Sequence, residues 1–433
     1  MDYGIDRITQ AAQKAKSAFL KIQSLPHRIR NDALLRIAES LQAMEDEIIA
    51  ANSIDLQHAE KSGLPKAMLK RLIFDSQKIK EVITSLRSLM SLEDPVGKVL
   101  MKMELDEGLI LEKVSCPIGV ICVIFESRPD ALVQISSLCI KSANAVILKG
   151  GREAQHTNEV LARIIEESLL SIDARFDGAV QLLSTREEIA EILKMDGLID
   201  LIVPRGSNEL VRTIMNLTKI PVLGHASGVC HTYVDEDADI GIALKICFDA
   251  KVQYPAVCNA METLIVHEKI APIFLPKIAR LYASAGVKLK GDAQTRNIIE
   301  ADEIRDNDWS TEYGDLVLNI KIVSSMEEAI DHINRYGSHH TDAIVCKSKE
   351  RATRFMELVD SSSVMWNCST RFADGYRYGF GAEVGISTNK IHARGPVGLE
   401  GLTIYKYRLI GNGHVVSDYV GENARKFVHR RLV

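Results

Sequence analysis

One pattern restricts this chain more than any other. Short apolar runs alternate with amphipathic segments: GVICVIF and a helix from about Asp130, AVILK and a helix from about Glu153, AVQLL and a helix from about Arg186, LIDLIVP and a helix from about Asn208. Runs apolar at successive positions and too short for helices are strands buried on both faces, and a strand–helix repeat makes the strands parallel. After two glycines in Leu223–Gly228 (LGHASG) a second series follows: HTYVD, a helix to about Lys251, ETLIVH, a helix from Lys269, DLVLNIKIV, a helix from Met326, and DAIVC. The fold class is therefore α/β, with two doubly wound units. At ~150 residues per domain, 433 residues agree with two or three such units.

The flanks differ. Residues 1 to about 90 have helical spacing, as in Leu34, Ile37, Ala38 and Leu41, and predict a helical opening layer. From Val99 to Val114, Met101, Met103 and Leu105 alternate with charged residues, and Asp106-Glu107-Gly108 predicts the turn of a β-hairpin. The divisions expected are 1–98 with 116–228, then 229–400, with 99–115 and 401–433 as an arm and C-terminal segment. Ser184 with Glu187 and Ser325 with Glu328 have capping-box spacing.

Charge and cysteine usage narrow the setting. A net charge of −5 argues against a nucleic-acid partner, and the longest apolar run, Pro117–Phe125, is about half of the ~20 residues that span a bilayer. No membrane is expected. The early acids in MDYGIDRITQ and the missing apolar h-region fit neither a secretory nor a transit segment. Eight cysteines without a Cys-x-x-Cys suit a reducing compartment, so a cytoplasmic location is expected.

Two corners favour anions. Lys149-Gly150-Gly151-Arg152 and Val203-Pro204-Arg205-Gly206-Ser207 each join a strand to a helix, where glycine permits close approach and the helix N-terminus attracts negative charge. Neither is a Walker or G-x-G-x-x-G fingerprint, and an ordinary turn stays open for both. Cys116, Cys122, Cys139, Cys247 and Cys346 lie in apolar periodic segments and read as packing thiols, as does Cys230 at a strand start. Cys258 and Cys368 lie in loops, and each is a candidate nucleophile. His339-His340 with Asp342 reads as a solvated turn, no metal is assigned, and His225 is left without a role.

Taken together, FESRPD (125–130), LKGGREA (148–154), VPRGSNELV (203–211), LGHASGVCH (223–231), YPAVCNAMETL (254–264) and the stretch 381–407 resemble the aldehyde dehydrogenase superfamily. The resemblance is to its branch acting on L-glutamyl 5-phosphate. It implies reduction of that acyl phosphate by NADPH to L-glutamate 5-semialdehyde and phosphate, through a cysteine thioacyl intermediate, as the second step of proline biosynthesis from glutamate. Residue by residue, it implies Cys258 as nucleophile and Asn259 and Ser127 as neighbours of the oxyanion, with Ser127 standing where hydrolytic members carry an asparagine. For NADP it implies Lys149, Gly151 and Arg152 on the adenosine side, Arg205, Gly206 and Ser207 near the pyrophosphate, and Glu312 on the nicotinamide ribose. Arg128, Asn367, Ser369, Thr370, Arg371 and Arg394 are the substrate candidates, arginine because it pairs with carboxylates through two hydrogen bonds.

A departure is informative. Hydrolytic members carry a water-activating glutamate in E-L-G-G, and the matching Gly224–Gly228 has no acid, which spares a thioacyl intermediate from water. The hairpin and the strand near 403–410 resemble an oligomerisation arm and imply a homodimer or homotetramer. The chain carries no kinase half, so a separate glutamate 5-kinase is an implied partner, with a transient complex as one way to protect the acyl phosphate. A hydrolytic aldehyde dehydrogenase and a non-catalytic relative of the same fold remain as rival readings.

Overall fold

The computed structural model describes residues 2–183, 188–206, 208–225, 227–380, 383–390 and 392–433. Helices Asp2–Ile22, His27–Ala43, Glu45–Lys61, Lys66–Leu72 and Ser76–Ser91 form the expected opening layer. The hairpin follows as β1 (Val99–Asp106) and β2 (Leu109–Pro117), turned at Gly108 with φ +74°. Among the described residues no helix is long and apolar enough to cross a membrane.

The first parallel sheet contains β3 (Val120–Phe125), β4 (Ala145–Lys149), β5 (Val180–Leu183) and β6 (Leu201–Arg205), in the order β5-β4-β3-β6. Every residue of β3 and β4 is buried, as their unbroken apolar runs require. Pro129 starts the helix Pro129–Lys141, where a missing N–H costs nothing. The third helix is described over Glu188–Ile192, and the Ser184/Glu187 cap lies outside the described residues.

The second sheet is larger than its sequence pattern suggests. It joins β7 (Cys230–Val234), β8 (Met261–His267), β9 (Lys288–Gly291), β10 (Asp302–Glu303), β11 (Val317–Val323), β12 (Thr341–Val345) and β13 (Ser363–Trp366) in the order β10-β9-β11-β8-β7-β12-β13. All its pairings are parallel. The unexpected strands lie toward its two edges, where polar Lys288 and Lys290 or a four-residue run dilute the apolar signal. At the helix Met326–Tyr336 the cap is half as expected: Ser325 accepts from the N–H of Glu328, but the Glu328 carboxylate turns to the N–H and hydroxyl of Ser324.

The C-terminal segment returns to the beginning. After the two-stranded β14 (Gly385–Ser387) and β15 (Gly395–Val397), β16 (Thr403–Ile410) pairs antiparallel with β2 along its whole length. β17 (Arg430–Arg431) closes the order β16-β2-β1-β17. A correction to the expected division at 400 follows. Val384, Val397 and Leu399, with Leu402, are buried in the core of the first unit, because the chain crosses back before it enters the arm.

One buried ion pair stands out in the second unit. Lys251 and Glu262 are both fully enclosed, with Nζ 2.7 Å from Oε2. Burial pushes Lys251 down and Glu262 up to about 7. Lys251→Met is expected to cost about 3 to 5 kcal/mol by leaving a buried carboxylate unpaired. Without Lys251 the buried carboxyl keeps its proton to still higher pH, so the loss in urea unfolding should be largest well above pH 7 and shrink as the pH falls to about 7, below which parent and variant both carry that proton.

Candidate active site

The site forms where two sheet edges meet. Cys230, Cys258 and His340 stand at or before the starts of β7, β8 and β12, while Phe125, Lys149 and Arg205 end β3, β4 and β6. The N-terminal edge of the second sheet thus faces the C-terminal edge of the first. Residues 383–386 hold two of its groups: Arg205 Nη1 lies 3.9 Å from Glu383 Oε1, and His225 Nδ1 is 2.8 Å from the carbonyl of Ile386.

Cys258 is half-buried at the floor of the cleft. Its loop is fixed from three sides. The Cys230 thiol donates to the Cys258 carbonyl at 3.2 Å. Asn259 is buried, donating to the carbonyl of Ala373 at 2.8 Å and accepting from Arg371. Gly228 lies flat against the loop: a Cβ there would stand 2.1 Å from the Cys258 oxygen and 2.5 Å from its Cα. Only a residue without a side chain permits that approach.

Other expected residues divide by position. Arg371 reaches the loop, donating through Nε to Gln253 at 2.9 Å and through Nη1 to Asn259, so it clamps both flanks of Cys258. Ser369 accepts from the Arg371 N–H at 3.3 Å, and the buried Thr370 hydroxyl has no partner among the described residues. Arg128 and Arg205 stand near one another beside Glu383. Burial pushes the Arg205 guanidinium down, Arg128 adds to that, and Glu383 and Cys258 oppose it. Arg394 is tied to Asp360 at 3.0 Å.

Two expected roles are corrected by the geometry. Asn367 lies at the opposite edge of the sheet, after β13, with its amide bonded to both backbone groups of Cys346 at 3.1 and 2.9 Å, so it fastens strand ends and does not face the cleft. Ser127, with φ +46°, is buried, and its one hydroxyl proton goes to Glu153 Oε1 at 2.8 Å; its N–H goes there too. That leaves it no proton for an oxyanion.

The corner after β4 is closely packed by neighbouring side chains, which is why it takes two glycines. A Cβ at Gly150 would meet Asn158 Nδ2 at 2.3 Å, and one at Gly151 would meet the Glu153 carboxylate at 2.1 Å. Arg152 is exposed, whereas Lys149 is buried and turns its ammonium to the Gly150 carbonyl. At the corner after β6, Gly206 backs onto Glu126, and Ser207 lies outside the described residues. Glu312 accepts from Asn208 Nδ2 at 2.6 Å, at the start of the helix Asn208–Leu217. Its turn is anchored below, where the Gly314 N–H donates to Glu262 at 3.1 Å. The buried Lys251–Glu262 pair therefore supports Glu312, a link the sequence signalled only by an acid inside an apolar strand.

The histidines differ most from expectation. His340 and Asp342 are fully buried, not a solvated turn: a left-handed His339, φ +58°, turns one ring out and the next in. Asp342 accepts from the backbone N–H of His231 at 2.7 Å and meets its ring at 2.8 Å. His225 and His340 meet edge to face with ring centroids 4.7 Å apart. A ligand atom on each lies within 4.8 Å of the Cys258 sulfur and of the other. The arrangement supplies a thiol nucleophile, two guanidinium groups for an anion and two corners for a dinucleotide.

Comparison with known proteins agrees with this geometry. Residues 3–302 match the model of the aldehyde dehydrogenase family. A gamma-glutamyl phosphate reductase from Pelotomaculum thermopropionicum is 58% identical over 425 residues, 98% of each chain. The crystal structure of gamma-glutamyl phosphate reductase from Thermotoga maritima superposes with a TM-score of 0.92 at 37% identity, covering 94% of this chain and 99% of that one. A glyceraldehyde-3-phosphate dehydrogenase from Methanocaldococcus jannaschii, complexed with NADP, shares the fold at a TM-score of 0.67 and 17% identity, covering 94% of this chain and 95% of that one.

Proposed function

The chain belongs to the aldehyde dehydrogenase family, and on that premise we propose that it reduces L-glutamyl 5-phosphate to L-glutamate 5-semialdehyde and phosphate, a step toward proline. The observation that carries this reading is Cys258 at the floor of a cleft with Arg128 and Arg205 near it and, in the described part of the loop facing it, no carboxylate beside His225, Ser227 and Gly228.

The cofactor fit rests on this chain's own shape. The exposed Arg152 at the strand–helix corner suits the phosphorylated ribose of NADP, and Glu312 beside a helix start suits the second ribose. When bound, the nicotinamide nucleotide supplies the hydride. Cys258 attacks the acyl carbon as a thiolate, the carbon–oxygen bond to phosphate breaks, and the acyl group rests on sulfur. Arg128 and Arg205 stabilise the leaving phosphate dianion. Arg371 and Asn259 hold the cysteine loop in attacking geometry, and the described part of the facing loop offers no carboxylate to activate water against the thioester.

The remaining parts of the reading follow. The apolar outer residues of β16, among them Ile404, Tyr407 and Leu409, support a homodimer or homotetramer, and a glutamate 5-kinase is the source of the substrate. Eight free cysteines support a cytoplasmic setting. The deciding experiment is semialdehyde oxidation with and without inorganic phosphate, using NADP and NAD in turn. Turnover that needs phosphate and prefers NADP is expected; equal turnover in phosphate-free buffer would establish the hydrolytic rival instead.

A further inference from the structure

We propose that Cys258, His225 and His340 form a three-ligand site for a soft divalent cation of the zinc type, and that its occupation takes the cysteine out of the reaction. The second half rests on Cys258 being the nucleophile; the first half does not.

The three groups come from separate loops, before β8, before β7 and before β12, and their ligand atoms lie within 4.8 Å of one another. Both imidazoles are already oriented. His225 Nδ1 is 2.8 Å from a carbonyl oxygen, which only accepts, so Nδ1 carries the hydrogen and Nε2 presents a lone pair. His340 is fully buried, its Nδ1 is 2.9 Å from the Thr341 hydroxyl, and its Nε2 has no partner among the described residues. A buried ring nitrogen left unmatched is costly unless something occupies it.

Chemistry selects the ion. One sulfur and two imidazole nitrogens suit zinc and disfavour calcium or magnesium, which take oxygen ligands. Bonds of about 2.0 to 2.3 Å give tetrahedral edges of roughly 3.3 to 3.8 Å, so closing the site takes a movement of about 1 Å. Cys258 is only half-buried, which gives the ion entry from the cleft and leaves a fourth position for water. On binding, the thiol proton leaves to solvent and a sulfur–metal bond forms; nothing is oxidised or reduced.

The test uses the whole chain with phosphine reductant and no chelator. Titrating Co²⁺ should give one equivalent per chain with a thiolate-to-cobalt charge-transfer band, displaced by Zn²⁺. Cys258→Ser should abolish the band, and His225→Gln and His340→Gln should each weaken binding by about tenfold or more. Cys116→Ser and Cys368→Ser should leave it intact. In the unmodified chain, Zn²⁺ should slow alkylation of Cys258 by iodoacetamide, followed by peptide mass spectrometry, and EDTA should restore it; this needs no variant to fold. A band that survives in Cys258→Ser, or Cys258 labelling indifferent to Zn²⁺, overturns the site. If the band vanishes in Cys258→Ser while turnover persists, the metal site stands and the inhibition fails with the nucleophile assignment.

Discussion

Cys258→Ser is expected to lower turnover by about 10⁴-fold or more while leaving NADP binding and the melting temperature close to those of the parent. The hydroxyl keeps the size of the thiol and its place against Gly228, so the loop has no reason to move. What is lost is the nucleophile, since an alcohol forms its anion far less readily than a thiol and no carboxylate in the described part of the facing loop activates it. Steady-state oxidation and single-turnover phosphate release would both report the loss. Cys368→Ser supplies the contrast. Cys368 packs against Ala343, Met365 and Ala373, burial pushes its thiol up, and activity within a few-fold of the parent is expected. Comparable losses in both variants would mean that the loop at 258 had been misassigned.

Gly228→Ala should also be damaging, without touching any reacting atom. The added methyl would stand 2.1 Å from the Cys258 oxygen, and backbone is not free to rotate away as a side-chain end is. Either the lead-in to β7 or the cysteine loop must shift. A displacement of about 1 Å at an attacking atom costs on the order of 10²-fold in rate, and overpacking adds roughly 1 to 3 kcal/mol of destabilisation. The expected signature is therefore a fall in kcat/KM with a lower melting temperature and altered iodoacetamide reactivity at Cys258. Unchanged kinetics would show that the two segments are held apart in solution.

Much of this was legible in the chain, and the exceptions have physical reasons. The strands of the first sheet announce themselves because burial on both faces makes them apolar at every position. β9 and β13 do not, since strands toward a sheet's edge carry lysines or only four residues. Cys258 was readable as a loop cysteine, yet spacing alone left Cys368 equal to it. The close approach of Gly228 to the loop at 258 separates them. Asn367 and Ser127 illustrate the opposite case: a polar residue in a suggestive motif can spend its hydrogen bonds on backbone or on a neighbouring acid, and the sequence does not reveal which. His225 and His340, distant in sequence, meet only because the loops they occupy lead into β7 and β12, neighbouring parallel strands.

The return of residues 384–402 to the first unit sets an order of events during synthesis. Asn144 is buried and donates to the carbonyl of Leu402 at 2.8 Å, and Val384, Val397, Leu399 and Leu402 fill the core laid down by residues before 224. At about 5 to 20 residues per second, a ribosome needs roughly 10 to 40 s to make the intervening stretch. For that interval the nascent first unit presents an apolar gap and an unmet amide, and β2 presents an open edge. Its completion thus waits until residues 384–402 are made, and a chain truncated before residue 402 would expose the very surface that chaperones recognise.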